Sequence, residues 1–189
     1  AYFYSLYELA GFDSKESVSI SCAIDLRRHI KDNSDQGMTN HTAWMQCKIP
    51  ELGKDIFTTL DYCVQSANQF EKCHFRGLQG LPLLSFGYSI LPHAASEKII
   101  KIGYSNPRLA MSNIGILEAD KLALEGHEPT DGFMSGAVKY KPYVLLSVTS
   151  LRKELTLSMC VRGNDEDKKI VEHFFELMDK NIRTLIKDE

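Results

Sequence analysis

No apolar run in this sequence approaches the roughly 18 residues that a membrane-spanning helix needs. The richest stretch, Leu78 to Ala95, is broken by Gln79, Gly80, Pro82, Ser85, Gly87, Ser89, Pro92 and His93. No membrane span is therefore expected. Positive charge is not in excess either. The 22 Lys and Arg are outnumbered by 25 Asp and Glu, for a formal net charge of −3. That argues against a nucleic-acid partner held by bulk charge.

The usual signatures of metal and phosphate chemistry are missing too. The six histidines, His29, His41, His74, His93, His127 and His173, form no HxH, HxxxH or HExxH. Cys73 and His74 are adjacent and poorly placed to share one ion, so no metal site is expected. Gly77 and Gly80 are followed by Leu-Pro-Leu rather than Lys-Ser/Thr, and no GxxxxGK[ST] or GxGxxG occurs. Phe86-Gly87-Tyr88-Ser89-Ile90 lacks the second glycine of a serine nucleophile elbow. The five cysteines contain no CxxC, and the N-terminus has no basic segment of the secretory kind. Reduced, mostly buried cysteines in a cytoplasmic protein are the expectation. The chain opens on Ala1, as if inside a helix, and is expected to be a piece of a longer polypeptide.

What remains is an ordinary globular composition, 43% hydrophobic and 25% charged over 189 residues. That suits a single domain spanning 1–189 with a core of its own. Phe3, Leu6, Tyr7 and Ala10 have helical spacing, with Gly11 as a stop. Residues 17–26 alternate strictly. Val18, Ile20, Cys22, Ile24 and Leu26 form an apolar face, and Ser17, Ser19, Ser21, Ala23 and Asp25 a small polar one. That polar face is either solvated or turned toward another unit. Residues 31–40 read as a loop, Thr42–Ile49 as a strand stopped by Pro50, and Lys54–His74 as an amphipathic helix. Leu78–Ala95 reads as a short helix with irregular packing. Strands are expected at Leu109–Leu117, Lys121–Glu125 and Phe133–Tyr140, then a hairpin of Tyr143–Ser150 with Glu154–Arg162. A last helix begins at Asn164, a natural N-cap, with Asp165, Glu166 and Asp167 in its first turn. Its apolar stripe is Val171, Phe174, Phe175, Met178, Ile182 and Leu185. The predicted fold class is α/β (α+β), a mixed, largely antiparallel sheet with helices packed on one face.

One short pattern carries a chemical reading. His127-Glu128-Pro129-Thr130-Asp131-Gly132 spells HxxxDG. A neutral imidazole beside a substrate hydroxyl or amine is a general base, and Asp131 would hold the turn. The plainer reading is an exposed turn crowded by Gly126, Pro129 and Gly132.

Taken in order, four segments resemble the C-terminal lobe of the condensation-domain-like acyltransferases. They are SISCAIDLRRHI, with its strand-end Asp25-Leu26-Arg27; the Gly37-Met38-Thr39-Asn40 turn into a strand; SNIG at 112–115; and LTLSMCVRGNDEDKKIVEHFFELM near the end. That superfamily includes peptide-synthetase condensation domains, alcohol O-acetyltransferases and chloramphenicol acetyltransferase. The resemblance covers nearly the whole chain. It implies one of two similar lobes, with donor and acceptor meeting in a tunnel between them. Acyl-coenzyme A or a carrier-bound acyl group would be the co-substrate, with no covalently bound cofactor. Ser112, Asn113, Gly115 and Asn40 would lie along the channel, with Gly37 nearby, and Asp25 and Arg27 would be structural.

The family's HHxxxD base belongs to the other lobe. HEPTDG falls between SNIG and the last strands, with Gly126 where the doubled histidine would stand, so the resemblance does not make His127 and Asp131 catalytic. The expected partner is a missing N-terminal lobe or a second copy of the chain, facing a sheet surface of apolar or small residues. Two other readings stay open: a self-sufficient trimeric acetyltransferase using His127 and Asp131, and a non-catalytic condensation-like interaction domain.

Overall fold

The computed structural model describes residues 1–25, 42–72, 85–87, 89–103 and 107–186. Asn40, Gly37, Arg27 and the expected 31–40 loop lie outside them.

Helix α1 (Tyr2–Ala10) stops where expected. Gly11 takes the left-handed conformation (φ 62°) and donates its N–H to the Tyr7 carbonyl at 2.8 Å, a C-cap that costs glycine no side-chain clash. Strands β1 (Val18–Asp25) and β2 (Thr42–Ile49) pair antiparallel along their whole length. Helix α2 (Ile56–Lys72) begins two residues later than its periodicity suggests. Asp55 is the reason: its carboxylate accepts the N–H and the hydroxyl of Thr58 at 2.8 and 2.9 Å, an N-cap. Helix α3 (His93–Gly103) follows Pro92, whose carbonyl accepts the N–H groups of Ala95 and Ser96.

Strand β3 (Leu109–Leu117) has the bounds read from the sequence. The strand expected at Lys121–Glu125 is instead a 3-10 turn (Ala119–Leu122) and a tight reversal. Glu125 (φ 50°) and Gly126 (φ 82°) are both left-handed there, and Leu124 and His127 exchange backbone hydrogen bonds at 3.0 and 2.9 Å. Two successive positive φ angles make a turn, not a strand. Phe133–Tyr140 also departs from expectation, since only Lys139–Tyr140 (β4) joins a ladder, with Val161–Arg162 (β7). Residues 131–138 take no regular secondary structure and join no ladder, and Met134 bonds to side chains instead. Met134 donates its N–H to Thr149 Oγ1 at 2.9 Å, and Ser158 Oγ donates to the Met134 carbonyl.

Strands β5 (Val144–Leu151) and β6 (Glu154–Met159) form the hairpin. Helix α4 (Asp165–Ile186) closes the chain with a reciprocal cap. Asn164 Oδ1 accepts the Asp167 N–H at 3.0 Å, while Asp167 Oδ2 accepts the Asn164 N–H at 2.9 Å.

The main sheet has the order β2-β1-β3-β5-β6. Its outer pairs, which carry most of the ladder, are antiparallel, and its two inner pairs are parallel. The fold is thus mixed α/β, as expected. Ile20, Cys22, Ile49 and Leu146 from the sheet pack with Tyr2, Phe3, Phe174 and Met178 from α1 and α4. On β5 the opposite face carries Leu145, Ser147, Thr149 and Leu151. Gly136 of the 131–138 segment crosses it so closely that a Cβ there would come within 2.8 Å of Leu145 Cδ2 and 3.3 Å of Ser147 Oγ.

Candidate functional site

Strand β3 places Ser112, Asn113 and Gly115 at the middle of the sheet. Ser112 pairs with Ser147 of β5. The register then shifts, because Asn113 faces Val148 while Ile116 faces Ser150. Two residues, Ile114 and Gly115, thus stand where the partner strand has one, a β-bulge. The bulge has a local cause. Gly115 is left-handed (φ 78°), and its N–H donates to Asn113 Oδ1 at 2.8 Å. In the bulge and just beyond it apolar side chains are exposed: Ile114 is 46% exposed and Ile116 73%. Asn113 is exposed as well. Asp25 ends β1 opposite Thr42.

The serine face of β1 has a partner that the alternation did not reveal. Ser19 Oγ donates to Gln46 Oε1 at 2.8 Å, and Gln46 Nε2 donates to Ser21 Oγ at 2.6 Å across the β1–β2 pair. Ser21 is buried and Ser19 exposed. Ser17 precedes the strand.

His127 and Asp131 lie on the connection between the 3-10 turn and β4, and both are exposed. The backbone of His127 closes the Leu124 bridge, and Asp131 Oδ1 accepts the Gly132 N–H at 2.7 Å. No hydrogen bond or ion pair joins His127 to Asp131 among the described residues. A neighbouring ion pair, Arg152 with Glu128 at 3.0 Å, ties this turn to the β5–β6 reversal. The segment is built as a turn.

A second feature went unseen in the sequence. Between the sheet and helices α1, α2 and α4 lies a cavity of about 320 Å³ with three thiols in its wall, Cys22, Cys47 and Cys63. Cys22 and Cys47 sit on the apolar phase of neighbouring strands, two residues out of register, with Cys22 opposite Met45 and Cys47 opposite Ile20. Cys63 is added by α2. The one available signal was that shared phase; no spacing along the chain shows it. The Cys63 thiol hydrogen-bonds to Cys47, and with a further bond from Ser66 it holds the Cys47 thiol down at about 7 despite burial. Cys63 is raised in turn by that bond and by burial. Cys22 is pushed up to about 11 by burial and by Cys47. The pair therefore gives up one proton near neutrality and retains the second. All four described cysteines are free thiols, and Cys73 lies outside the described residues. No cluster of metal-ligating side chains occurs among the described residues, and no described helix is long and apolar enough to cross a membrane.

Comparison with known proteins leaves the reading to these residues. No protein-family model matches the chain, and neither a curated protein nor a solved structure does.

Proposed function

We propose that this chain is the C-terminal lobe of a coenzyme A- or carrier-dependent acyltransferase, which transfers an acyl group to an alcohol or amine. In this reading it lines one side of the reaction channel, and the neighbouring lobe supplies the base. The observation that carries the proposal is the outward turn of β3. A central strand normally hides its apolar residues under the layers on either side. Here Asn113 and Gly115 bend it so that Ile114 and Ile116 face outward, in the SNIG segment that the resemblance assigns to the channel. Exposed isoleucines near the end of a central strand suit a surface that another unit covers.

The division of labour puts no base in this chain, and the exposed turn at His127 agrees with that. Asn113 would serve as a positioning group on the channel wall. The test compares release of coenzyme A from acetyl-coenzyme A, with a panel of alcohols and amines, for the chain alone and for one extended upstream. Turnover only in the extended protein, with HHxxxD in its added part, is the expected result. Turnover by the 189 residues alone would overturn the assignment. So would an extended protein without HHxxxD, which would favour a non-catalytic interaction domain.

A further inference from the structure

The thiols in the cavity behind the sheet take no part in the acyl-transfer reading. Cys47 lies on β2 and Cys63 on α2, and both line that cavity. One contact fixes the helix against the strand at this level: the Lys48 N–H donates to Ser66 Oγ at 3.3 Å. Residues three apart on a helix share a face, so the face of α2 that carries Ser66 also sets Cys63 over β2 beside Cys47. There the Cys63 thiol hydrogen-bonds to Cys47. Both side chains are half-buried free thiols, so each keeps some access to small solutes. Cys22 is the third thiol of the wall, but the ladder sets it apart from Cys47. Cys47 faces Ile20 across the β1–β2 pair, and Cys22 faces Met45. Such a diagonal pair is about 7–8 Å apart, beyond the Cα span of about 4.4–6.8 Å that a disulfide bridges. Cys22 is also buried, its thiol directed at the Ile20 carbonyl of its own strand at 3.9 Å.

We propose that Cys47 and Cys63 are a hydroperoxide-sensitive dithiol that closes to a disulfide and ties α2 to β2. Cys47 is the attacking sulfur. The bonds from Cys63 and Ser66 hold its thiol at about 7, and the thiolate is the nucleophile. Its proton passes to solvent. The sulfur attacks one oxygen of hydrogen peroxide, so that an S–O bond forms and the O–O bond breaks. The departing hydroxide takes up a proton and leaves as water, and Cys47 becomes a sulfenic acid. Cys63, which keeps its proton, is the resolving thiol. Its sulfur attacks the sulfenic sulfur, the S–S bond forms, and the hydroxyl leaves with the Cys63 proton as a second water. Each sulfur gives up one electron, and the peroxide oxygens receive both. One dithiol and one peroxide thus yield one disulfide and two waters. A metal ion suits the wall less well, since no group of three ligating side chains occurs among the described residues. This inference does not depend on the acyl-transfer reading.

The test exposes the reduced, folded chain to stoichiometric hydrogen peroxide, blocks the remaining thiols with N-ethylmaleimide and maps linkages by peptide mass spectrometry. The expected product is a Cys47–Cys63 linkage within one chain, reversed by dithiothreitol, with Cys22 left as a thiol. Denatured in urea, the same chain should scatter its linkages over all five cysteines. Cys63→Ser keeps a hydrogen-bond donor but has no resolving sulfur. It should lose the linkage and leave a sulfenic acid at Cys47, which dimedone traps. Cys22→Ala should still form the linkage. Absence of the Cys47–Cys63 linkage from the unaltered folded chain overturns the proposal. So does linkage of Cys47 to another cysteine in its place, or the same scatter in the folded chain as in urea. Lack of dimedone labelling at Cys47 in Cys63→Ser overturns its role as the attacking thiol. Mapping on the unaltered chain keeps the test decisive should a variant not fold.

Discussion

Asn181 on the last helix donates its side-chain amide to Ser5 Oγ on the first, at 2.9 Å, and also to Glu8 Oε2 at 2.8 Å. Ser5 is fully buried and Asn181 is 3% exposed, so this polar link lies inside the seam between α1 and α4. It joins residues 176 positions apart and fixes the rotation of one helix against the other. A buried amide is tolerated where its bonds are made and costly where they are cut. Asn181→Ala should therefore destabilise the fold by about 1–3 kcal/mol, measured by urea unfolding. Ser5→Ala should be partly redundant with it. A double-mutant cycle in which the two effects simply add would show that the bond contributes nothing specific.

Glu8 makes the same seam sensitive to pH. Burial alone would raise its carboxyl, but hydrogen bonds from Lys180 and Asn181 and the Lys180 charge outweigh burial and lower it. A carboxyl lowered in the folded state contributes stability that is complete above its unfolded value, near 4.5, and is lost as pH falls through the folded one. Glu8→Gln should thus melt below the unaltered protein at pH 7, and the two should converge toward pH 3. A constant difference in Tm across that range would contradict the linkage.

The seam also shows where sequence reading stops. The stripe Phe174, Met178 and Ile182 was legible because an apolar face repeats with the helix, and Asn181 between them carries no such mark. Strands β2 and β3 were legible with their ends, and β1 (Val18–Asp25) falls within the expected 17–26, because alternation and Pro50 or flanking polar residues mark such segments. Lys121–Glu125 and Phe133–Tyr140 were not. Their apolar residues alternate like strands, but Gly126 and Glu125 turn the first back on itself, and Gly136 lets the second cross the sheet face rather than join an edge. Helix α3 was obscured by the glycine and proline before it. Of the expected channel residues, Ser112, Asn113 and Gly115 do lie together on β3, while Asn40, like the structural Arg27, is outside the described residues. The thiol cluster was invisible for a different reason, since it depends on strand register and on where α2 lands.

Gly115 offers a sharp test of the β3 bulge. A Cβ added there would touch nothing within 4 Å, so no packing clash arises, but the backbone is left-handed at φ 78°. Gly115→Ala should cost about 1–2 kcal/mol, the penalty of holding an L-residue in that conformation. Gly115→Asn should cost less, because asparagine tolerates it. If alanine and asparagine are equally harmless by thermal melting, the bulge is not held by this residue.

The cap of α4 is separable from its packing. Asn164→Ala removes the acceptor for the Asp167 N–H and should lower stability by about 1 kcal/mol. Asn164→Asp, which keeps an acceptor, should recover most of it. Hydrogen exchange of the first-turn amides provides the local measurement, and faster exchange confined to residues 165–168 is the expected pattern.

The thiol pair gives a chemical readout near neutrality. Cys47, held at about 7 by the bonds from Cys63 and Ser66, is mostly thiolate at pH 8, whereas Cys22, raised to about 11, is not. Since the thiolate is the nucleophile, a small apolar alkylating agent should modify Cys47 well before Cys22, with a rate rising through pH 7 and then levelling. Cys63→Ala removes the main donor and should move that inflection upward toward the ordinary thiol value. Cys63→Ser retains a donor and should leave it near its original place. An inflection unmoved by Cys63→Ala would mean that the neighbour does not set the reactivity of Cys47, and the low value would have to come from Ser66 alone.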